Sequence, residues 1–294
     1  AAIGLHISIG SVYAWSVLTR PIMVDMGFTL SQTTWTFSLA ILMLGLSAGF
    51  LGSFAEKIGP KKSGLLAMLF WVTGLFGTAY ALSIHNLTLL YLFYGIIGGI
   101  GLGIGYITPV STLVKYFPNR PGFATGLAIM GFGFASLIAG PLMQYLVAQV
   151  GLVDNFIILG IIYLVVMGAS SLYLKAPQQK HLTRTTKDKS TMYVHNHGML
   201  ANDAMKTWQF GALWWIFFIN ITCGIGLLSL ASPMAQEAIG MTPAAAASLV
   251  GIIGIFNGGG RIAWSTISDY LGRAQTYILF FIIQIIAFYL LAQT

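Results

Sequence analysis

Residues 40–62 read AILMLGLSAGFLGSFAEKIGPKK, an uncharged and mostly apolar run that ends on Glu56, Lys57, Gly59, Pro60, Lys61 and Lys62. About 20 apolar residues cross the hydrocarbon core of a bilayer as a helix. The stretch therefore predicts the end of a membrane span and the loop after it. Residues 251–273, GIIGIFNGGGRIAWSTISDYLGR, end the same way. Asp269 stands where Glu56 does and Gly272 where Gly59 does, 213 positions later. Two spans with one kind of ending predict an internal repeat of the parallel type found in transporters built from two halves.

Working outward with the same ruler gives nine spans, near 2–19, 33–54, 62–83, 88–114, 122–149, 153–174, 209–235, 243–268 and 273–293. The composition agrees: 57% of the 294 residues are hydrophobic and 7% are charged, against roughly a quarter charged in soluble domains. Mean hydropathy is +0.83. Too few charged side chains are present to cover a water-soluble surface of this size. The predicted class is an all-α integral membrane protein with two six-helix halves related as repeats. Residues 1–174 form the first half, 175–208 a polar linker, and 209–294 the first three helices of the second half. The chain opens on Ala1 inside an apolar run and stops three spans into the repeat. A preceding segment and three further spans are therefore expected.

The formal charge of +7 is a matter of topology. Lys57, Lys61, Lys62, Lys115, Arg120, Lys175, Lys180, Arg184, Lys187, Lys189, Lys206 and Arg273 fall in loops on one side, and Arg20 alone on the other. Basic residues accumulate in cytoplasmic loops, so the N-terminus and the 175–208 linker are predicted to be cytoplasmic, in a multi-pass inner (plasma) membrane protein. Nucleic acid is not the expected partner. One cysteine, Cys223, excludes an intrachain disulfide and a cysteine metal cluster.

Arg261 is the remaining basic residue, and it lies inside a span. It precedes Asp269 by two helical turns, about 12 Å from the helix end. An arginine at the bilayer centre costs about 2.5–3.5 kcal/mol on insertion scales, and no Asp or Glu lies in a span core to pair with it. A snorkelling side chain is one reading. The other is a carboxylate clamp, because the guanidinium fork matches a carboxylate with two parallel hydrogen bonds. Positive charge without intramembrane acids points to an anionic substrate.

The two acid-x-x-Gly-basic loops resemble the signature between helices 2 and 3, and 8 and 9, of major facilitator transporters. Gly131, followed eight residues later by Gly140-Pro141, is similar to that superfamily's antiporter motif. A closer resemblance is to the oxalate/formate antiporter family. It is carried by VYAW (12–15), GIGLGIGYITP (99–109), YFPNRPG (116–122), IMGFGFA (129–135) and NGGGRIAWSTISDYLGR (257–273). The resemblance implies a major facilitator fold and secondary transport of small carboxylates, with exchange and proton-coupled uptake both open. It implies Arg261 as substrate ligand, with Tyr13, Trp15, Tyr106 and Phe132 lining the cavity. Glu56, Lys57, Lys61, Asp269 and Arg273 are expected to form latches that break and re-form during gating. Tyr94 stands where many superfamily members carry an arginine, and Glu56 replaces the usual aspartate. Leu142 to Tyr145 lack the paired glycines that often close the antiporter motif.

Phe132 cannot donate a hydrogen bond and Val12 is apolar beside Tyr13, which suggests a less polar pocket and favours a monocarboxylate such as lactate, pyruvate or formate over a dicarboxylate such as oxalate. An oxalate/formate-type exchanger is the alternative, and a non-transporting membrane sensor a weaker one. A membrane enzyme would need clustered His, Asp or Cys, which the sequence does not offer. Direct ATP drive would need a phosphate-binding loop with its lysine, and that is absent too. No cofactor or metal is expected, and a monomer is. The glycines of residues 95–105 read as close helix packing. His6 reads as a packed or water-facing histidine in preference to a proton relay.

Overall fold

The computed structural model describes residues 1–117, 119–176 and 201–293. Lys180, Arg184, Lys187, Lys189, His195 and His197 lie outside them. The described residues form an all-helical bundle. Helix α1 is Ala2–Met26, α2 Leu30–Ile58, α3 Pro60–Ser83 and α4 Leu87–Tyr116. A continuous apolar stretch, Pro121–Tyr173, holds α5 (121–150) and α6 (152–173), separated at Gly151, whose φ of 86° is not helical. Helices α7 (Trp208–Ala238), α8 (Pro243–Leu271) and α9 (Arg273–Leu291) follow. A short helical turn, Ala201–Ala204, precedes α7.

Each of the nine expected spans has its helix, and the break between the fifth and sixth falls on Gly151. Helix α1 runs seven residues past its expected end, so Arg20 and Asp25 lie in its last turns rather than in a loop. The hydropathy of the sequence marks where lipid ends, whereas the helix continues until Gly27, left-handed at φ 67°, caps it. Pro109, Pro141 and Pro233 sit inside α4, α5 and α7 without ending them.

The repeat predicted from the loops is visible in the backbone. Gly59 links α2 to α3 at φ 82°, ψ 160°, and Gly272 links α8 to α9 at φ 93°, ψ 153°. Both are conformations that a residue with a Cβ rarely adopts. Starts are also set by local chemistry. Thr29 and Gln32 close a reciprocal capping box on α2, and Thr242 accepts from the Ala245 amide at the start of α8, each satisfying amides that have no partner within the helix.

Helix α1 is the most enclosed, whereas α7 and α9 are largely exposed. In lipid, helices associate through close packing of small residues, and the α5–α8 seam is built that way. A Cβ on Gly133 would stand 2.5 Å from the Cα of Gly258, and one on Gly140 would stand 3.1 Å from the Ala247 carbonyl oxygen. Between them Ser136 Oγ donates to the Val250 carbonyl at 3.4 Å. This seam brings α8 against α5, and α5 in turn packs on α1.

Candidate functional site

Tyr13 sits on a turn of 3₁₀ helix, Ser11–Ala14, inserted into α1 between α-helical segments. Ser8 and Ser11 bend the local hydrogen bonding, with Ser8 Oγ donating to the Gly4 carbonyl at 2.9 Å and Ser11 Oγ to the Ser8 carbonyl at 2.7 Å. Hydroxyls bonded back onto the main chain in this way bend helices, and a mid-helix 3₁₀ turn often marks a functional position. Gly10, one turn earlier, lets α1 approach α5 so closely that a Cβ there would stand 2.7 Å from the Cα of Phe132.

Arg261, midway along α8, reaches this point. Its Nε donates to Asn257 Oδ1 at 2.8 Å and its Nη2 to the Tyr13 hydroxyl at 3.3 Å. The guanidinium carbon lies 5.9 Å from the centre of the Tyr13 ring and 5.6 Å from that of Phe132, within reach of cation–π attraction. The two rings meet edge to face, 4.8 Å apart at 86°, and Tyr106 meets the other side of Phe132 at 5.4 Å and 87°. The Tyr106 side chain also interacts with the guanidinium. Among the described residues Arg261 takes part in no ion pair.

Two cavities meet at this side chain. One, of about 510 Å³, is lined by Asn257, Arg261, Trp264, Ser268 and Phe280, among others. The second, of about 450 Å³, is lined by Tyr13, Asn220, Phe256, Asn257, Arg261 and Gln284, among others. Arg261 and Asn257 belong to both walls. In the second cavity Asn220 Nδ2 of α7 donates to Gln284 Oε1 of α9 at 3.2 Å. A guanidinium held by neutral acceptors and aromatic faces keeps its positive charge available to an anion. Among the described residues no three His, Cys, Asp or Glu side chains converge as metal ligands.

Of the lining residues expected from sequence, Tyr13, Tyr106 and Phe132 therefore gather at Arg261. Trp15 does not. It points into a separate buried cluster, its ring 4.4 Å from that of Tyr94, which also meets Trp71 and Phe156. Trp15 follows Tyr13 by two residues, a spacing that puts the two side chains on different sides of α1. Val12 is likewise wholly buried. Asn257 was missed as a site residue, although its spacing of four from Arg261 was available as a signal. Asn220 and Gln284 gave no signal beyond being polar in apolar helices.

At the loop end of the bundle the two repeat acids act differently. Asp269 accepts from the backbone amides of Gly122 at 3.2 Å and Phe123 at 2.9 Å, the start of α5, and from Arg273 Nη2 at 2.6 Å. Arg273 also donates to Ser268 Oγ. A carboxylate at a helix N-terminus satisfies unpaired amides and complements the dipole. Glu56 instead pairs with Lys115 at the end of α4, and both side chains are about half exposed. Lys57 and Lys61 are exposed and in none of the ion pairs among the described residues. At the opposite end Arg20 Nη1 of α1 donates to Gln236 Oε1 of α7 at 3.0 Å.

The family model of the Major Facilitator Superfamily matches residues 1–294. The chain is 30% identical over 270 residues to the uncharacterized MFS-type transporter YhjX of Escherichia coli (strain K12), covering 91% of this chain and 64% of that protein. It is 26% identical over 267 residues to the oxalate:formate antiporter of Oxalobacter formigenes, covering 91% and 61%. Monocarboxylate transporter 12 of Homo sapiens is 32% identical over 171 residues, 54% of this chain and 32% of that one. The chain thus spans less than two thirds of the length of these relatives. Among solved structures, that of a D-xylose-proton symporter superposes with a TM-score of 0.58 at 14% identity, covering 92% of this chain and 69% of that one, a likeness of fold.

Proposed function

The chain belongs to the Major Facilitator Superfamily, and on that premise we propose that the protein moves small organic carboxylates across a membrane by alternating access. The observation that carries this reading is Arg261. A guanidinium within a membrane-length helix, seated on two aromatic rings, bonded to Asn257 and Tyr13, and bordering two cavities, is suited to hold a carboxylate. Asn257 fixes the rotamer, Tyr13 and Tyr106 offer hydroxyls, and Phe132 shapes the apolar side. The names of the relatives, an oxalate:formate antiporter and a monocarboxylate transporter, support the same substrate class.

One guanidinium matches one carboxylate, and the lining around it is mainly aromatic. Both favour lactate, pyruvate or formate over oxalate. In this reading residues 1–174 form one six-helix half, 175–208 a cytoplasmic linker, and 209–294 part of a second half. The basic loops face the cytoplasm, and Asp269 with Arg273 latches that face through the start of α5.

The test is labelled uptake of lactate, pyruvate, formate and oxalate into liposomes carrying the full-length protein, beside Arg261→Gln. Uptake of one acid by the parent and its loss in the variant is the expected result. Transport by Arg261→Gln equal to the parent, or no movement of any of the four acids, would overturn the reading.

A further inference from the structure

Among the described residues His6 is the one histidine within a membrane-length helix, and it is completely buried. Both of its ring nitrogens face main-chain carbonyl oxygens. Nδ1 meets that of Ala128 on α5, and Nε2 meets that of Tyr106 on α4 at 3.2 Å. A neutral imidazole has one N–H and one lone pair, so it can donate to only one of these oxygens. The imidazolium donates to both. The surroundings therefore hold an acceptor ready for a second proton.

The ionisable groups that face His6 are few. Tyr106 of α4 lies 5.6 Å away, ring centre to ring centre, and Arg261 of α8 acts on it through its charge. Helix α5 presents Ala128, Gly131 and Phe132, none of them ionisable, and Tyr13, seven residues on, is the next ionisable side chain along α1 itself. His6 and Arg261 share one ring: Phe132 lies 6.2 Å from the imidazole and 5.6 Å from the guanidinium carbon. A second positive charge across a single aromatic ring, in surroundings of low dielectric, is repelled. A carboxylate held by Arg261 removes that repulsion.

We propose that His6 is the proton-binding site of this carrier, filled when a carboxylate occupies Arg261 and empty when it does not; this rests on the carboxylate reading of Arg261. The neutral ring keeps its hydrogen on Nδ1, donated to Ala128. The arriving proton adds to the lone pair of Nε2 and is donated to the Tyr106 carbonyl. One monocarboxylate and one proton then bind as a pair of zero net charge, and each raises the affinity for the other by the same factor.

Purified full-length protein in weak buffer with a pH-sensitive dye tests this. Lactate, pyruvate, formate and oxalate are added in turn while calorimetry follows binding. The acid that binds is expected to take up about one proton per protein, and its affinity to fall about tenfold per unit rise in pH across the linked range. His6→Gln should bind the same acid without proton uptake and without that slope. Equal uptake by the variant, or binding by the parent without uptake, overturns the proposal and leaves Arg261 as the ligand. No heat with any acid overturns both together. Folding of the variant is bypassed by a second measurement on full-length protein in which every histidine other than His6 is replaced by Gln, His85, His181, His195 and His197 among them. With ring-labelled His6, the infrared difference spectrum on adding the acid should gain an imidazolium band, and its absence overturns the proposal.

Discussion

The carboxylate of Asp269 on α8 accepts the backbone N–H of Phe123, the third residue of α5, at 2.9 Å. A side chain of one helix thus caps the start of another more than 140 residues away, and it is joined there by Arg273. Replacing it with Ala leaves the Gly122 and Phe123 amides without this acceptor and Arg273 without its carboxylate. Asp269→Ala is expected to destabilise the closed loop end by about 1–3 kcal/mol. A lower melting temperature in detergent and faster labelling of a cysteine in place of Ser265, which faces Gly126 across the α5–α8 contact, would show it, with Asp269→Asn falling between Ala and the parent.

The acid at the matching position of the first repeat should behave otherwise. Glu56 and Lys115 are each about half exposed, where water and salt screen an ion pair to about 0–1 kcal/mol. Glu56→Gln should therefore change the melting temperature little, and that small change should vanish in high salt. A loss as large as that of Asp269→Ala would refute the distinction drawn between the two acids.

Gly133 faces Gly258 with no room for a methyl group, since a Cβ would stand 2.5 Å from backbone atoms on both the N and Cα of Gly258. Gly133→Ala must push α5 from α8 and is expected to cost about 1–3 kcal/mol, as overpacking does. Gly45→Ala, on α2 with nothing within 4 Å, should be neutral or stabilise by up to about 1 kcal/mol through helix propensity. Thermal unfolding of the two variants side by side decides the matter.

Asn257 holds the Nε of Arg261 at 2.8 Å. Asn257→Ala frees the guanidinium to sample other rotamers and should weaken carboxylate binding by about 1–2 kcal/mol, roughly five- to thirtyfold. Arg261→Lys keeps the charge but loses the planar fork, and it should weaken binding by at least as much. Calorimetric affinities for the acid found in the uptake assay check both.

The spans were legible because hydropathy is a property of long runs, and nine of them survive any small error at their ends. Arg261 was legible because one charge in an apolar helix has no cheap explanation. What escaped depends on rotation and on distance. Tyr13 faces Arg261 while Trp15, two residues on, faces Tyr94; that spacing rules out a shared face, but which of the two meets Arg261 is set by how α1 is rotated against α5 and α8. Glu56 pairs with Lys115 rather than with Lys57 or Lys61 because α2 and α4 run parallel, with α3 returning between them, and bring their C-terminal ends together. Local spacing does not report that.

Arg261 and Asn257 border both cavities, so the side chain that would grip a solute is itself part of the partition between two chambers. On the proposed reading, a molecule gripped there touches both chambers through one side chain, so a tilt of α8 would change which chamber it faces. The grip can stay unbroken through the tilt. A carrier built this way would turn the wall and not drag the cargo.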